Sequence, residues 1–386
     1  MMRARNLWCF LVWSMATSLA AASDGTLSWN FQTTGYTTTG SSGFQTALAM
    51  RDGDTWPVVF SENSNNYLQA YSLYPVTNPQ TQTNWFTVGS NLLYAGNSSS
   101  LLSAATSPDG RVAAVLRNPG NASYCNMAVV GGSSNGFGTV MTGVRAIDFS
   151  AKGTVVTGTM NTISPAPNGL LADIATSPFG DIGAIDENGY YYQQSSLIGG
   201  WAAQKLDVGS TPFADLAMDS LGRPHVVGGY CSSAGQLITS DFNVSTGMWT
   251  HQNLCSTSLV TAGATIAADS RGGVGAAWVQ TNPTTGGYAL EYAYNDGENG
   301  WAIHTVTNSV FDSLSSSYVP LRQQTRVGLA FDANDFPVIS FVAGSGSIYL
   351  AYDPVTAVPE PSTLALLAVG GAVAVFALRK SRGRRS

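Results

Sequence analysis

The chain has 386 residues, with 17 Lys and Arg against 23 Asp and Glu, and only 10% of it is charged. Seven of the basic residues (Arg3, Arg5, Arg379, Lys380, Arg382, Arg384 and Arg385) lie in two terminal segments that hold one acid, Glu360. The stretch between carries 10 basic and 22 acidic groups, a net charge near −12. That balance argues against nucleic acid and anionic lipid surfaces as partners, because phosphates are bound by Lys and Arg. A body this poor in charge and rich in Gly, Ser, Thr, Asn and aromatics fits an all-β protein with many turns.

The first 22 residues read as a signal peptide. Arg3 and Arg5 form the positive start, Leu7 to Trp13 the apolar stretch, and Ala20-Ala21-Ala22 an A-x-A site with cleavage expected after Ala22. Both terminal segments are set aside from fold reasoning, which leaves residues 23–353 as the body and 354–386 as a tail.

Internal self-similarity decides the architecture of the body. Five segments share one pattern: 101–116 (LLSAATSPDGRVAAVL), 172–185 (ADIATSPFGDIGAI), 214–227 (ADLAMDSLGRPHVV), 264–278 (ATIAADSRGGVGAAW) and 327–341 (VGLAFDANDFPVISF). Each is a small alternating strand ending in Ala, a polar turn of Asp, Ser, Asn or Gly, and a second apolar strand. A sixth copy, 47–60, has one extra turn residue, and a seventh around Asp148, 144–157, is weaker. A tryptophan then opens a final strand at Trp85, Trp201, Trp249 and Trp301, with a further strand such as 289–294 in between. Four short antiparallel strands in roughly 45–55 residues make a propeller blade.

A blade buries one face on each neighbour, so the ring has to close. The last repeat ends at Tyr352 without a tryptophan strand, and residues 25–34, with Trp29, read as that missing strand, latching the ring from the N-terminus. The body, led by Asp219-Ser220-Leu221-Gly222-Arg223-Pro224-His225-Val226-Val227, resembles secreted bacterial propeller-like repeats. The anchors at Ala105, Asp148, Ala175, Ala217 and Ala267 are spaced 43, 27, 42 and 50 residues apart. If the Asp148 copy is a reduced blade there are seven blades, the preferred count; if it is an insertion there are six. A β-sandwich or β-helix is the competing architecture.

Chemistry is sparse. Cys9 leaves with the signal peptide, and Cys125, Cys231 and Cys255 stay, an odd number for an exported protein. Cys231 and Cys255 fall in one repeat and are the expected bridge; no C-x-x-C or Cys/His cluster suggests a metal. His251 and His304 follow Trp249 and Trp301 on final strands and read as equivalent repeat positions, and His225 lies on a second strand; all three read as structural. No catalytic residue is assigned, since no nucleophile elbow is present.

The competing function is a secreted glycosidase, sialidase-like or otherwise, on a propeller scaffold. It requires two carboxylates or a nucleophile–base pair at the ring axis. The stretch 50–56 keeps Gly53, Thr55 and Trp56 of a sialidase-type turn but has Arg51 where its Asp belongs. The small residues of the first strands (Ala104, Ala105, Ala267, Ala268) predict an axis lined by Ala, Gly and Val. No cofactor is expected. Calcium is the one alternative considered, at 295–299 and 332–335, against ordinary Asx-turn roles for Asp219, Asp269 and Asp332. The repeated tryptophans are expected to fill the space between blades rather than to stack on sugars.

The tail has three parts. Pro359-Glu360-Pro361 comes first. Thr363 to Leu378 follows, sixteen uncharged residues or roughly 24 Å of helix, slightly short for a bilayer core of about 30 Å. Five cations, Arg379, Lys380, Arg382, Arg384 and Arg385, close the chain and favour the cytoplasmic side. This order resembles the PEP-CTERM sorting signal of Gram-negative bacteria. The resemblance implies recognition and cutting by an exosortase-type membrane protease, transient anchoring in the inner membrane, delivery to the cell surface or medium, and association with exopolysaccharide or biofilm matrix. The body would then serve as a noncatalytic binding or structural module.

Overall fold

The computed structural model describes residues 27–38, 44–51, 56–62, 68–73, 85–89, 102–106, 112–117, 125–130, 141–148, 154–157, 171–179, 181–194, 201–206, 214–228, 237–243, 245–255, 260–282, 284–312 and 315–352. The expected signal peptide and the tail lie outside them, as does Cys231. Every described element is a strand, an isolated bridge, a turn or a bend.

Strand β1 (Asn30–Thr37) comes first and is discussed with the last sheet. The first sheet runs β2 (Phe44–Arg51), β3 (Trp56–Glu62), β4 (Leu68–Leu73) and β5 (Trp85–Gly89). The second holds β6 (Leu102–Thr106), β7 (Val112–Arg117), β8 (Cys125–Val130), β9 (Met141–Asp148) and β10 (Thr154–Thr157). The third holds β11 (Leu171–Thr176), β12 (Ile182–Asp186), β13 (Tyr190–Gln194) and β14 (Trp201–Lys205). The fourth holds β15 (Asp215–Met218), β16 (Pro224–Gly228), β17 (Leu237–Asn243) and β18 (Met248–Cys255), and the fifth β19 (Val260–Ala268), β20 (Val274–Thr281), β21 (Tyr288–Asn295) and β22 (Trp301–Thr307). A hairpin, β23 (Ser309–Asp312) and β24 (Ser317–Pro320), and a short strand, β25 (Gln324–Arg326), precede the last sheet of β26 (Gly328–Phe331), β27 (Pro337–Ala343) and β28 (Ser347–Tyr352).

The described strands therefore pair into six sheets of four or five strands and one two-stranded hairpin. The first strands of the repeats touch in a closed cycle, β2 to β6 to β11 to β15 to β19 to β26 and back to β2. They line the axis, and the tryptophan strands lie outermost. This is a β-propeller, and the competing sandwich and helix architectures are set aside.

The count favoured from sequence is corrected. Residues around Asp148 do not begin a sheet of their own. β9 lies parallel to β8, and β10 pairs with β9, so both add to the outer side of the second sheet. Twenty-seven residues provide chain for two strands, not four.

The latch holds, with its boundaries moved. β1 pairs antiparallel with β28 in the register Asn30↔Tyr352 to Thr33↔Tyr349 and again at Thr37↔Ser347. Trp29 precedes it and meets Tyr292 of the fifth sheet edge-on at 5.6 Å. Trp249 meets Tyr191 of the sheet before its own in the same way, at 5.3 Å. The N-terminal strand thus brings the seam tryptophan that the last repeat lacks.

Closure also needs a glycine. A Cβ on Gly328 would run into the Ala47 and Leu48 backbone of β2 and the Ser340 hydroxyl. Only a bare Cα lets the last inner strand pack this close to the first. The core sits in the seams. Leu290, Tyr292, Phe341 and Tyr349 fill the one between the fifth and last sheets, and Val227, Leu254, Ile266 and Trp278 the one between the fourth and fifth.

Candidate functional site

The axis is polar, which overturns the expectation of an Ala, Gly and Val lining. Aligning the inner strands on their shared Ala places Ala47, Ser103, Asp173, Asp215, Thr265 and Gly328 at one level. Arg326, two residues before Gly328, lies at the same centre and is 1% exposed. Its Nη1 is 3.0 Å from Asp215 Oδ1, and its Nη2 donates to the Ala214 carbonyl at 2.7 Å. Asp215 also accepts from Ser103 Oγ at 2.9 Å, Thr265 Oγ1 at 2.7 Å and the Ile266 amide at 2.8 Å. One carboxylate thus gathers donors from the second and fifth sheets and from β25, which pairs with β2 in the first.

Asp173, 1% exposed, lies beside it and accepts the Leu216 amide at 2.8 Å. Burial first, and the negative charge of Asp215 second, push the Asp173 carboxyl well above the usual carboxylate range; Arg326 opposes them only in part. That upward push is the direction a low-dielectric interior favours where one guanidinium faces two carboxylates.

The hydrolase reading anticipated two axial carboxylates, and two are present. Their setting is not that of an acid–base pair. Asp215 is saturated by four donors, and both groups are shut away from solvent, whereas a catalytic carboxyl must reach the proton it moves. The arrangement ties blades together. Thr46 Oγ1 donating to the Ser340 carbonyl joins the last sheet to the first, and the Leu102 amide donating to Gln45 Oε1 joins the second to the first.

In the fourth, fifth and last sheets the turn between first and second strands is an Asx-turn, and in the third Ser177 Oγ takes the equivalent amides of Phe179 and Asp181. Asp219 Oδ1 accepts the Leu221 and Arg223 amides, Asp269 Oδ1 those of Arg271 and Gly273, and Asp332 Oδ1 those of Asn334 and Phe336. The same chemistry occupies Asp296, whose oxygens take the Glu298 and Asn299 amides and the Asn299 side chain. The acidic stretches weighed as calcium loops thus spend these oxygens on their own backbone. Among the described residues no group of three or more His, Cys, Asp and Glu is arranged so that it could hold a metal ion.

His225 stands between two carboxylates, with Nδ1 2.6 Å from Asp241 Oδ1 and Nε2 3.3 Å from Asp219 Oδ2. Burial would lower its pKa, but these two partners raise it. Burial would likewise raise Asp219, but hydrogen bonds from His225 and Arg223 hold it at about 2. His251 and His304 are not equivalent. They follow their tryptophans by two and by three residues, so strand alternation sends them to opposite faces. His251 Nδ1 lies 2.8 Å from the Ser240 hydroxyl.

Trp85, Trp249 and Trp301 occupy seams, as expected. Trp85 is buried with Tyr71, Ile348 and Leu350, and Trp301 packs against the Val227 and Leu254 cluster. Trp249 also donates from Nε1 to Gln204 of the preceding sheet at 3.1 Å. Cys255 ends β18 with Sγ 3.7 Å from Gln280 Oε1. Sequence reasoning missed Glu291, which takes Gln280 Nε2 at 2.9 Å and the Thr305 hydroxyl on both oxygens; burial raises its pKa against those bonds. It also missed Arg326 and the aspartates facing it. The only signal was the repeated Ala-Asp before Ile or Leu at 172–174 and 214–216.

Together these features define a β-propeller whose centre is closed by an internal polar cluster. A search of the curated proteins returned no match. Among solved structures the chain is similar to AofleA from Arthrobotrys oligospora, with a TM-score of 0.51 at 11% identity over 86% of this chain and 88% of that one. It is also similar to a mutant of Aleuria aurantia lectin in complex with Fucα1-6GlcNAc, with a TM-score of 0.51 at 13% identity over 80% and 91% of the two chains. A further structure, the fucose-specific lectin from Aleuria aurantia in a mercury-derivative form, gives 0.50 at 13% identity over 82% and 93%. At these identities the likeness establishes the fold. Residues 357–384 match the PEP-CTERM protein-sorting motif. The match takes in Pro359, Glu360 and Pro361 with Arg379, Lys380, Arg382 and Arg384, and stops one residue short of Arg385. The chain thus joins a β-propeller body to a C-terminal PEP-CTERM sorting motif, and the motif implies export and sorting to the cell surface.

Proposed function

We propose that this is an exported, noncatalytic, carbohydrate-binding propeller sorted and processed through its tail. Residues 1–22 are removed as a signal peptide, 23–353 form a six-bladed body, and 354–386 anchor it briefly in the inner membrane. An exosortase-type protease then acts at Pro359-Glu360-Pro361, with the cluster from Arg379 to Arg385 as the cytoplasmic stop. A bridge between Cys231 and Cys255 belongs to the same reading of an oxidising destination. Exopolysaccharide of the matrix is the ligand class. Support comes from the fold shared with Aleuria aurantia lectin, which is fucose-specific and is seen with a fucosylated disaccharide.

The observation that supports the noncatalytic half is the burial of both axial carboxylates, Asp173 at 1% and Asp215 at 2% exposure, with Asp215 also held by four donors. Intact mass, cell fractionation and retention on immobilised fucose and neutral polysaccharide test the proposal. The expected product begins near Ser23, ends near the Pro-Glu-Pro motif, lies outside the inner membrane and is retained. A full-length chain in the inner membrane would sink the sorting reading, and absence of retention the binding one.

A further inference from the structure

The connection from β22 to β26 spans residues 308–327, whereas that from β18 to β19 spans only 256–259. The extra chain folds as the β23–β24 hairpin, whose two faces differ sharply. Val310 is 1% exposed and joins the seam core, against which Val319 also packs. On the opposite face Phe311 and Tyr318 are directly paired across the strands, edge-to-face at 5.5 Å. They are 53% and 74% exposed. Two large aromatics held side by side in water offer apolar area at little entropic cost on binding, since the hairpin already fixes them.

We propose that this hairpin is a glycan-stacking platform, with Phe311 and Tyr318 receiving the apolar faces of sugar rings in a neutral polysaccharide. The proposal rests on the reading of the body as carbohydrate-binding. The tip beside the rings is rich in hydroxyls: Ser315 Oγ donates to Asp312 Oδ2 at 2.8 Å and lies 2.9 Å from Ser317 Oγ. These groups exchange hydrogen bonds with sugar hydroxyls in place of water. The segment 309–320 contains Asp312 and no Lys or Arg, so its charge repels acidic polymers and anionic lipid and selects a neutral ligand. The nearest cation in the chain, Arg322, is turned to the Gly344 carbonyl and the Phe44 ring.

The test compares the full chain in detergent with Phe311→Ala/Tyr318→Ala and Tyr318→Trp variants. The probes are immobilised fucose, a neutral β-glucan and, as an anionic control, polygalacturonate. Melting temperature is followed to confirm folding. The expected result is retention of the parent chain on a neutral probe, at least about tenfold weaker affinity in the double variant, a loss of roughly 1.4 kcal/mol, and retention preserved by Tyr318→Trp. Equal binding by the parent and the double variant would overturn the hairpin site while leaving the carbohydrate reading intact. No binding by the parent chain would overturn both. Preference for polygalacturonate, or a parent dimer that the double variant abolishes, would also overturn the platform.

Discussion

Arg326 and Asp215 meet at the centre of the ring, Nη1 to Oδ1 at 3.0 Å, although 111 residues separate them in the chain. The guanidinium comes from β25, which pairs in parallel with β2 at the inner edge of the first sheet, and the carboxylate from the fourth, so their pairing spans the ring. Asp173 beside them is pushed toward its protonated form, by burial first and by the charge of Asp215 second.

Replacing Arg326 with Met is expected to destabilise the body by about 3–5 kcal/mol, because Asp215 is left as an uncompensated buried charge. Adding Asp215→Asn should recover part of the loss. Urea unfolding measures both. A cost below about 1 kcal/mol for Arg326→Met, in the range of an exposed ion pair, would show that the axial pair does not hold the ring.

His225 makes stability depend on pH in a defined direction. Its folded pKa is raised by Asp219 and Asp241 against the effect of burial. Its contribution is therefore full below the unfolded value of about 6.5 and is lost as pH rises through the folded one. Asp219 acts oppositely: held at about 2, it contributes fully above an unfolded value of about 3.9 and loses that as pH falls through the folded one. The advantage of the parent chain over His225→Gln should be largest between about pH 4 and 6.5, and smaller near pH 8.5. Denaturation at several pH values decides this, and a difference that stays flat across them would refute it.

Deleting the chain through Thr37 removes the outer strand of the last sheet and takes Trp29 from its contact with Tyr292. It also removes Thr34 Oγ1, which donates to the Ile348 carbonyl. The deletion is expected to abolish the cooperative unfolding transition and expose apolar surface to a hydrophobic dye. A truncated chain that melts like the parent would mean that β1 decorates the ring and does not close it.

Changing Pro359-Glu360-Pro361 to three alanines should leave the tail attached and the protein in the inner membrane. Mass spectrometry of the membrane and extracellular fractions reads this directly. Normal removal of the tail in that variant would transfer recognition to another part of 354–386.

The alternation of apolar residues, the Asp-led turns and the recurring tryptophans were legible in the chain because each expresses a local rule. Strands have period two, Asx-turns need an acid or amide a few residues before their amides, and a blade must offer a large ring to its neighbour. The missing tryptophan after Tyr352 and the spare one at position 29 likewise pointed to an N-terminal latch. The tail was legible for the same reason, since its message lies in contiguous order: motif, apolar stretch, cations.

Tertiary structure alone decided the rest. Residues 141–157 carry a repeat-like pattern, yet they add to an existing sheet, because pairing partners depend on which edge is open and not on the pattern itself. Alanines in the first strands suggested an apolar axis, but Ser103, Asp173, Asp215 and Thr265 stand two residues before the shared Ala, on the same face, and which level of that face meets at the centre is fixed only by packing. Arg326, Asp215 and Asp173 stand far apart in sequence and carry no motif. Their meeting, the upward push on the Asp173 carboxyl and the burial of all three follow from inner strands converging where water is excluded.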